Sequence, residues 1–263
     1  MRLLIAVIMM ALAGVAQAEV KTRQIDYQSA DGTRLIGYYA WDDAIKGPRP
    51  GVIVVHEWWG LNDYAKRRAR DLAALGYSAM AIDMYGEGKN TEHPKDAMAF
   101  MQAATKDSTA SAQRFDAGLA QLKQQPQTNP DKIAAIGYCY GGSVVLDAAR
   151  RGEALAGVVT FHGALNTKTP ATKGSVKAPL LIEHGARDSM VTPEVVAAFK
   201  KEMDNAGADY HFVSIEGAKH GFTNPDADRL SHGDHGGPDI GYDKKADQSS
   251  WSDMQVFLKK VFI

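Results

Sequence analysis

Ile133-Ala-Ala-Ile-Gly-Tyr-Cys-Tyr-Gly-Gly142 lies near the middle of the chain. A short apolar run enters it, small residues crowd one polar nucleophile, and a helix-competent segment, 143–150, leaves it. This is the Gly-x-nucleophile-x-Gly pattern of a strand-to-helix elbow, with Cys139 where serine is commoner. The turn calls for Gly137 and Gly141 because the central residue is held in a strained conformation that leaves its neighbours no room for side chains. Cys139 would then stand at a helix N-terminus, where backbone dipoles favour a thiolate. Taken alone, the decapeptide is also open to an inert core thiol, since free cysteine is usually buried.

Outward from the elbow, the chain alternates strand-like and helical segments. Residues 21–29 and 33–41 read as strands joined at Ala30-Asp31-Gly32, a hairpin signal, and 44–50, with two prolines, reads as a loop. Gly51-Val-Ile-Val-Val55 is apolar without alternation, as in a strand buried on both faces. Asn62 is placed to cap a helix carrying Ala65, Ala69, Leu72 and Leu75, which Gly76 ends. Residues 77–84 form the next strand, 95–123 one or two helices, 126–130 a loop. After the elbow come strands at 155–162, 179–184 and 210–215, with a helix at 193–205. The stretch 221–250 is polar and long for a connection, so it is expected to wrap or cover the site. Trp251, Met254, Phe257, Leu258 and Val261 keep helical spacing. The alternation predicts an α/β fold, with a mostly parallel central sheet, helices on both faces and an N-terminal antiparallel hairpin.

Composition narrows the function. Thirty basic residues against 31 acidic ones give no reason to expect nucleic acid as a partner, and a small-molecule substrate is the simpler expectation. Residues 1–18 read as an export signal: Arg2, an apolar run, then Ala16-Gln17-Ala18 before Glu19. The run is short of the roughly 20 residues that span a bilayer, so no membrane anchor is expected after cleavage, and the mature domain, 19–263, is expected to be periplasmic or secreted from a bacterium, as a monomer. One cysteine cannot form an intramolecular disulfide. In an oxidising compartment a single thiol is a liability unless buried or used.

A nucleophile needs a base, and the base an orienting group. In the order nucleophile, acid, histidine, Asp188 follows the 179–184 strand and His220 lies in a loop after the 210–215 strand. Singly, each would be read as a turn residue or a solvated ring; three strand ends in the required order make a triad of Cys139, Asp188 and His220.

These segments together resemble the dienelactone hydrolase (carboxymethylenebutenolidase) family of α/β-hydrolases: Gly137-Tyr-Cys-Tyr-Gly-Gly142, His56-Glu-Trp-Trp-Gly60, Asp83-Met-Tyr85, Gly185-Ala-Arg-Asp188 and His220-Gly-Phe222. The resemblance implies Cys139 as nucleophile, His220 as general base and acid, Asp188 as its orienter, and Glu57 as a carboxylate beside the resting thiol that takes part in its activation. The oxyanion is expected at the backbone N–H groups of Tyr140 and Trp58. Trp58, Trp59, Tyr85 and Phe222 are expected to wall the substrate pocket. Family members that cleave dienelactone carry an arginine shortly after the Asp-x-Tyr segment and another four residues after the triad histidine, both binding a substrate carboxylate. Here those substrate-binding positions hold Glu87 and Asn224, which puts an anionic substrate in doubt, with His162 and Arg187 as possible substitutes.

The expectation is an ester or lactone hydrolase working through a Cys139 thioester, with no metal or organic cofactor. The rivals are a thiol-redox or thiol-transfer protein, which lacks a resolving cysteine, and a non-catalytic binding protein on the same fold. His211, His232 and His235, beside Asp234, are read as solvated rather than as metal ligands.

Overall fold

In the computed structural model, residues 19–231 and 239–263 are described. The proposed export signal, and His232, Asp234 and His235, lie outside them. The hairpin at the start forms as expected: β1 (Val20–Gln28) pairs antiparallel with β2 (Arg34–Asp42). Gly32 turns it at φ 82°, and Asp31 accepts the Thr33 N–H at 3.0 Å.

Then follow β3 (Arg49–Val55), α1 (Asp63–Ala74), β4 (Ser78–Ile82), α2 (Pro94–Thr105), α3 (Ser108–Lys123), β5 (Thr128–Tyr138), α4 (Tyr140–Arg150), β6 (Gly157–Phe161), β7 (Leu180–Gly185), α5 (Pro193–Ala206), β8 (Tyr210–Ile215), α6 (Ala227–Ser231) and α7 (Lys244–Val261). Among the described residues, eight strands make one sheet in the order β1-β2-β4-β3-β5-β6-β7-β8. From β4 through β8 every neighbouring pair is parallel, and β2 joins β4 antiparallel.

The unbroken apolar runs are buried on both faces, as their lack of alternation predicts. Val52 and Val54 pack with α1 and α7 side chains such as Leu72, Met254 and Leu258, while Ile53 and Val55 pack with Phe115, Val145 and Phe199 from α3, α4 and α5. Each such aliphatic side chain contributes about 1.5–3 kcal/mol on burial. Asn62 caps α1 through its side chain to the Ala65 N–H at 3.2 Å, and Gly76 follows the helix at φ 94°.

Three boundaries differ from expectation. Arg49 and Pro50 belong to β3, and β5 starts at Thr128, because Arg49 and Pro50 pair with Thr128 and Asn129 before an irregularity at Pro50/Gly51 shifts the register. Among the described residues of the long polar stretch, Phe222, Thr223 and Asn224 are buried, α6 follows, and α7 starts seven residues before Trp251. Asp243 starts that helix early by accepting the Lys245 and Ala246 N–H groups at 2.9 and 3.0 Å.

Candidate active site

The parallel strands end on one edge of the sheet, where open α/β sheets bind ligands. Cys139 is the single residue between β5 and α4, at φ 54° and ψ −117°. Such a backbone costs a non-glycine residue about 1–3 kcal/mol. Its surroundings hold it there. A Cβ on Gly137 would lie 2.1 Å from the Gly141 oxygen, one on Gly141 2.3 Å from the Val55 oxygen, and one on Gly142 2.3 Å from Thr160 Oγ1. The Cys139 N–H donates to the Phe161 oxygen at 3.0 Å, tying the elbow to the end of β6. The thiol is half-buried.

His220 and Asp188 meet as the chain order predicts. His220 Nδ1 lies 2.8 Å from Asp188 Oδ2, while Asp188 Oδ1 accepts the Met190 and Val191 N–H groups at 2.9 and 3.2 Å. One carboxylate oxygen is thus fixed by backbone and the other by the ring. His220 Nε2 has no geometric hydrogen-bond partner among the described residues. Burial acts against the charged ring, but the Cys139 sulfur and the Asp188 carboxylate outweigh it and push His220 up to about 10. The Cys139 sulfur is thus near enough to favour the imidazolium.

Glu57 follows β3 into the same cluster and is 4% exposed. Burial pushes its carboxyl up to about 7 against the Asn224 amide and the nearby His220 charge, both of which favour ionisation. Asn224 Nδ2 donates to Glu57 Oε2 at 2.6 Å. The side chain at the expected substrate position is thus occupied in holding Glu57. Glu87 departs from its expected role altogether: it is exposed at φ 56°, with its carboxylate 3.6 Å from Lys89 Nζ. Gly86 and Gly88 on either side are anchored to Asp83, and the left-handed backbone between them turns Glu87 to solvent.

Tyr85 and Trp58 lie at the site, with Tyr85 Oη donating to the Trp58 oxygen at 3.1 Å. Tyr140 opens α4, so its N–H has no carbonyl within the helix to bond. Trp59 and Phe222 are corrections as pocket walls. Trp59, 1% exposed, packs with Ala97, Ala227, Leu230 and Ile240, and Phe222 is fully buried against Ala218 and Ala246, edge-on to His162. Both rings support site loops from behind. His162 is buried, its ring centroid 5.1 Å from that of His220, and Arg187 is exposed, so neither supplies a cation in the expected way. Burial holds His162 well below the usual histidine range.

Behind His220 lies a scaffold that no sequence motif marked. Thr223 Oγ1 lies 2.7 Å from His162 Nε2 and 2.6 Å from Tyr64 Oη, and Arg68 donates to the Thr223 oxygen at 2.8 Å. His56, quoted above only as part of a motif, is fully buried between two strand-end loops. A histidine directly after a doubly buried strand is the available signal, because a buried ring needs partners for both nitrogens. Among the described residues, no group of three or more His, Cys, Asp or Glu is placed to hold a metal. His211 is exposed on β8 and lines a shallow cavity of about 290 Å³ with Phe257 and Lys260, at the opposite edge of the sheet.

An eight-stranded, mostly parallel sheet with a cysteine elbow and an Asp–His pair on its strand ends defines an α/β-hydrolase. The family model for the dienelactone hydrolase family matches residues 36–262, and the chain belongs to that family. It is an enzyme of the ester- and lactone-hydrolysing kind, acting on a small molecule. A dienelactone hydrolase-like promiscuous phosphotriesterase from metagenomic libraries is similar over 93% of this chain and 99% of its own, at 36% identity and a TM-score of 0.85. Protein usf of Aquifex pyrophilus is 28% identical over 235 residues, 88% of this chain and 95% of that one. The dienelactone hydrolase of Anabaena variabilis shares the fold, with 21% identity and a TM-score of 0.62 over 90% of this chain and 98% of its own.

Proposed function

We propose that this chain hydrolyses small uncharged esters or lactones through a thioester on Cys139. The observation that carries the reading is His220, held by Asp188 at 2.8 Å, with its other nitrogen unpartnered and its charged form favoured by the Cys139 sulfur. The thiolate attacks the substrate carbonyl carbon, and the carbonyl electron pair moves to oxygen, which the Tyr140 and Trp58 N–H groups receive. Collapse expels the alkoxide, which takes a proton from the His220 imidazolium. The neutral imidazole then removes a proton from water as it attacks the thioester, and the thiolate leaves with the acid product. Ionised Glu57 supports the imidazolium beside it.

The uncharged substrate follows from the same side chains. The two positions where relatives use arginine present an amide engaged with Glu57 and an exposed acid. A carboxylate entering the site would meet Glu57 without an arginine at either of those two positions to pair with it. Nothing observed favours thiol exchange or non-catalytic binding. Cys139→Ala and His220→Ala are expected to lower kcat/KM on neutral short-chain esters by about 10³-fold or more. Full activity in either would overturn the reading. The substrate panel includes a neutral phosphotriester, in view of the metagenomic relative's name. Export through residues 1–18 and a monomeric mature enzyme complete the proposal; a secreted product starting at Glu19 supports the first, and retention of Met1 contradicts it.

A further inference from the structure

His56 follows the last residue of β3 and is fully buried. Its Nδ1 lies 2.6 Å from the Glu57 oxygen, and its Nε2 lies 3.2 Å from the Met84 nitrogen. A carbonyl can only accept and a backbone N–H can only donate, so these partners fix one tautomer: proton on Nδ1, lone pair on Nε2. Burial acts in the same sense, holding the ring below the usual histidine range and hence neutral.

The Glu57 carbonyl belongs to the same peptide plane as the Trp58 N–H. In a trans peptide the two groups point in opposite directions, so anchoring the oxygen aims the N–H. The Gly60 N–H also donates to that oxygen, at 3.1 Å, but Gly60 is part of the same loop and moves with it. His56 instead ties the peptide to Met84, beyond β4, and Tyr85 from that second loop donates to the Trp58 oxygen at 3.1 Å. The His56 ring packs edge-on to Tyr85, with centroids 4.8 Å apart, and lies 5.9 Å from Tyr140, the residue carrying the other oxyanion donor.

We propose that His56 is a positioning residue of the oxyanion hole, its Nδ1–H holding the Glu57–Trp58 peptide so that the Trp58 N–H faces the reacting carbonyl. This rests on the Cys139 reading above. A donor on the carbonyl also polarises the amide and strengthens its N–H as a donor. The contribution falls on the tetrahedral state and leaves ground-state binding nearly untouched.

The test compares His56→Phe, which keeps a ring and removes both hydrogen bonds, with His56→Asn, whose side-chain N–H₂ can reach the position of Nδ1. Rates on p-nitrophenyl acetate are normalised to titratable thiol, and affinity is measured for a neutral aryl trifluoromethyl ketone, which forms a tetrahedral adduct with the sulfur. His56→Phe is expected to lower kcat about 10- to 100-fold with KM within about threefold, and to weaken the ketone by the same factor as kcat. His56→Asn is expected to recover most of both. Unchanged kcat in folded His56→Phe, or ketone affinity that does not follow kcat, overturns the proposal. Should His56→Phe not fold, ¹⁵N NMR of the unmutated enzyme at neutral pH decides: a neutral Nδ1–H tautomer supports the clamp, and an Nε2–H or charged ring contradicts it. An unmutated enzyme without esterase activity, or an active Cys139→Ala protein, refutes the Cys139 reading instead. Cys139-dependent activity indifferent to His56 refutes only the clamp.

Discussion

Two ionisable residues at the site are shifted in ways that fix the pH behaviour expected of the enzyme. Glu57 is raised to about 7 by burial, and His220 to about 10 because Cys139 and Asp188 outweigh its burial. Activity that needs an ionised Glu57 and a charged His220 therefore rises as pH passes about 7 and falls as it passes about 10. The Asn224 amide stabilises the ionised form of Glu57, so Asn224→Ala should move the lower limb to higher pH and leave the upper limb in place, read from kcat/KM against pH. A lower limb that stays put would separate it from Glu57. The meeting of Asp188 and His220 was legible because their chain order and strand-end placement repeat a fixed pattern. The roles of Asn224 and Glu87 were not, because a position in sequence does not say which neighbour a side chain will meet. Asn224 turned to a buried carboxylate and Glu87 to water.

The elbow is the element on which the site depends, and its glycines are set by approach distance. Gly141 lies against the carbonyl oxygens of Val55 and His56, which an added Cβ would meet at 2.3 and 2.6 Å. Those atoms are backbone at the end of β3 and cannot swing aside as a side chain could. Gly141→Ala should cost about 1–3 kcal/mol of stability and more in rate than Cys139 exposure alone would explain, since it pushes the elbow away from the strand that leads to Trp58. Denaturant unfolding with thiol-normalised kinetics checks both; an unperturbed variant would show that the close approach is not needed. Element identity was readable wherever the pattern was strong: the Asp-Gly hairpin, the unbroken β-branched run and the Asn62 cap. The early start of α7 was hidden because the polar residues preceding Trp251 carry no apolar stripe, and only the Asp243 cap marks the start.

At the level of the whole molecule, the sheet buries one carboxyl that the chemistry does not use. Glu183 on β7 is fully buried, neither oxygen has a hydrogen-bond partner among the described residues, and burial with the nearby Asp253 pushes it up to about 8. An acid whose folded-state value is raised stabilises the fold while protonated, fully so below its unfolded value of 4.5, and loses that contribution as pH climbs through about 8. Glu183→Gln should therefore lose less in Tm than the unmutated protein between about pH 5 and 9, by roughly 4 °C or more. Equal losses would mean that the carboxyl is solvated or paired. Parallel sheet and two-sided packing followed from the alternation of segments, whereas a polar residue inside β7 gave no sequence sign that it would stay unpartnered. The central claim is that acyl transfer passes through Cys139, and trapping the intermediate tests it most directly. Rapid acid quench during turnover of a neutral p-nitrophenyl ester, followed by mass spectrometry of the intact protein and its peptides, should find the acyl mass on the peptide containing Cys139 and none in Cys139→Ala. Turnover at full rate with an unmodified Cys139, or an acyl mass on another residue, would contradict it.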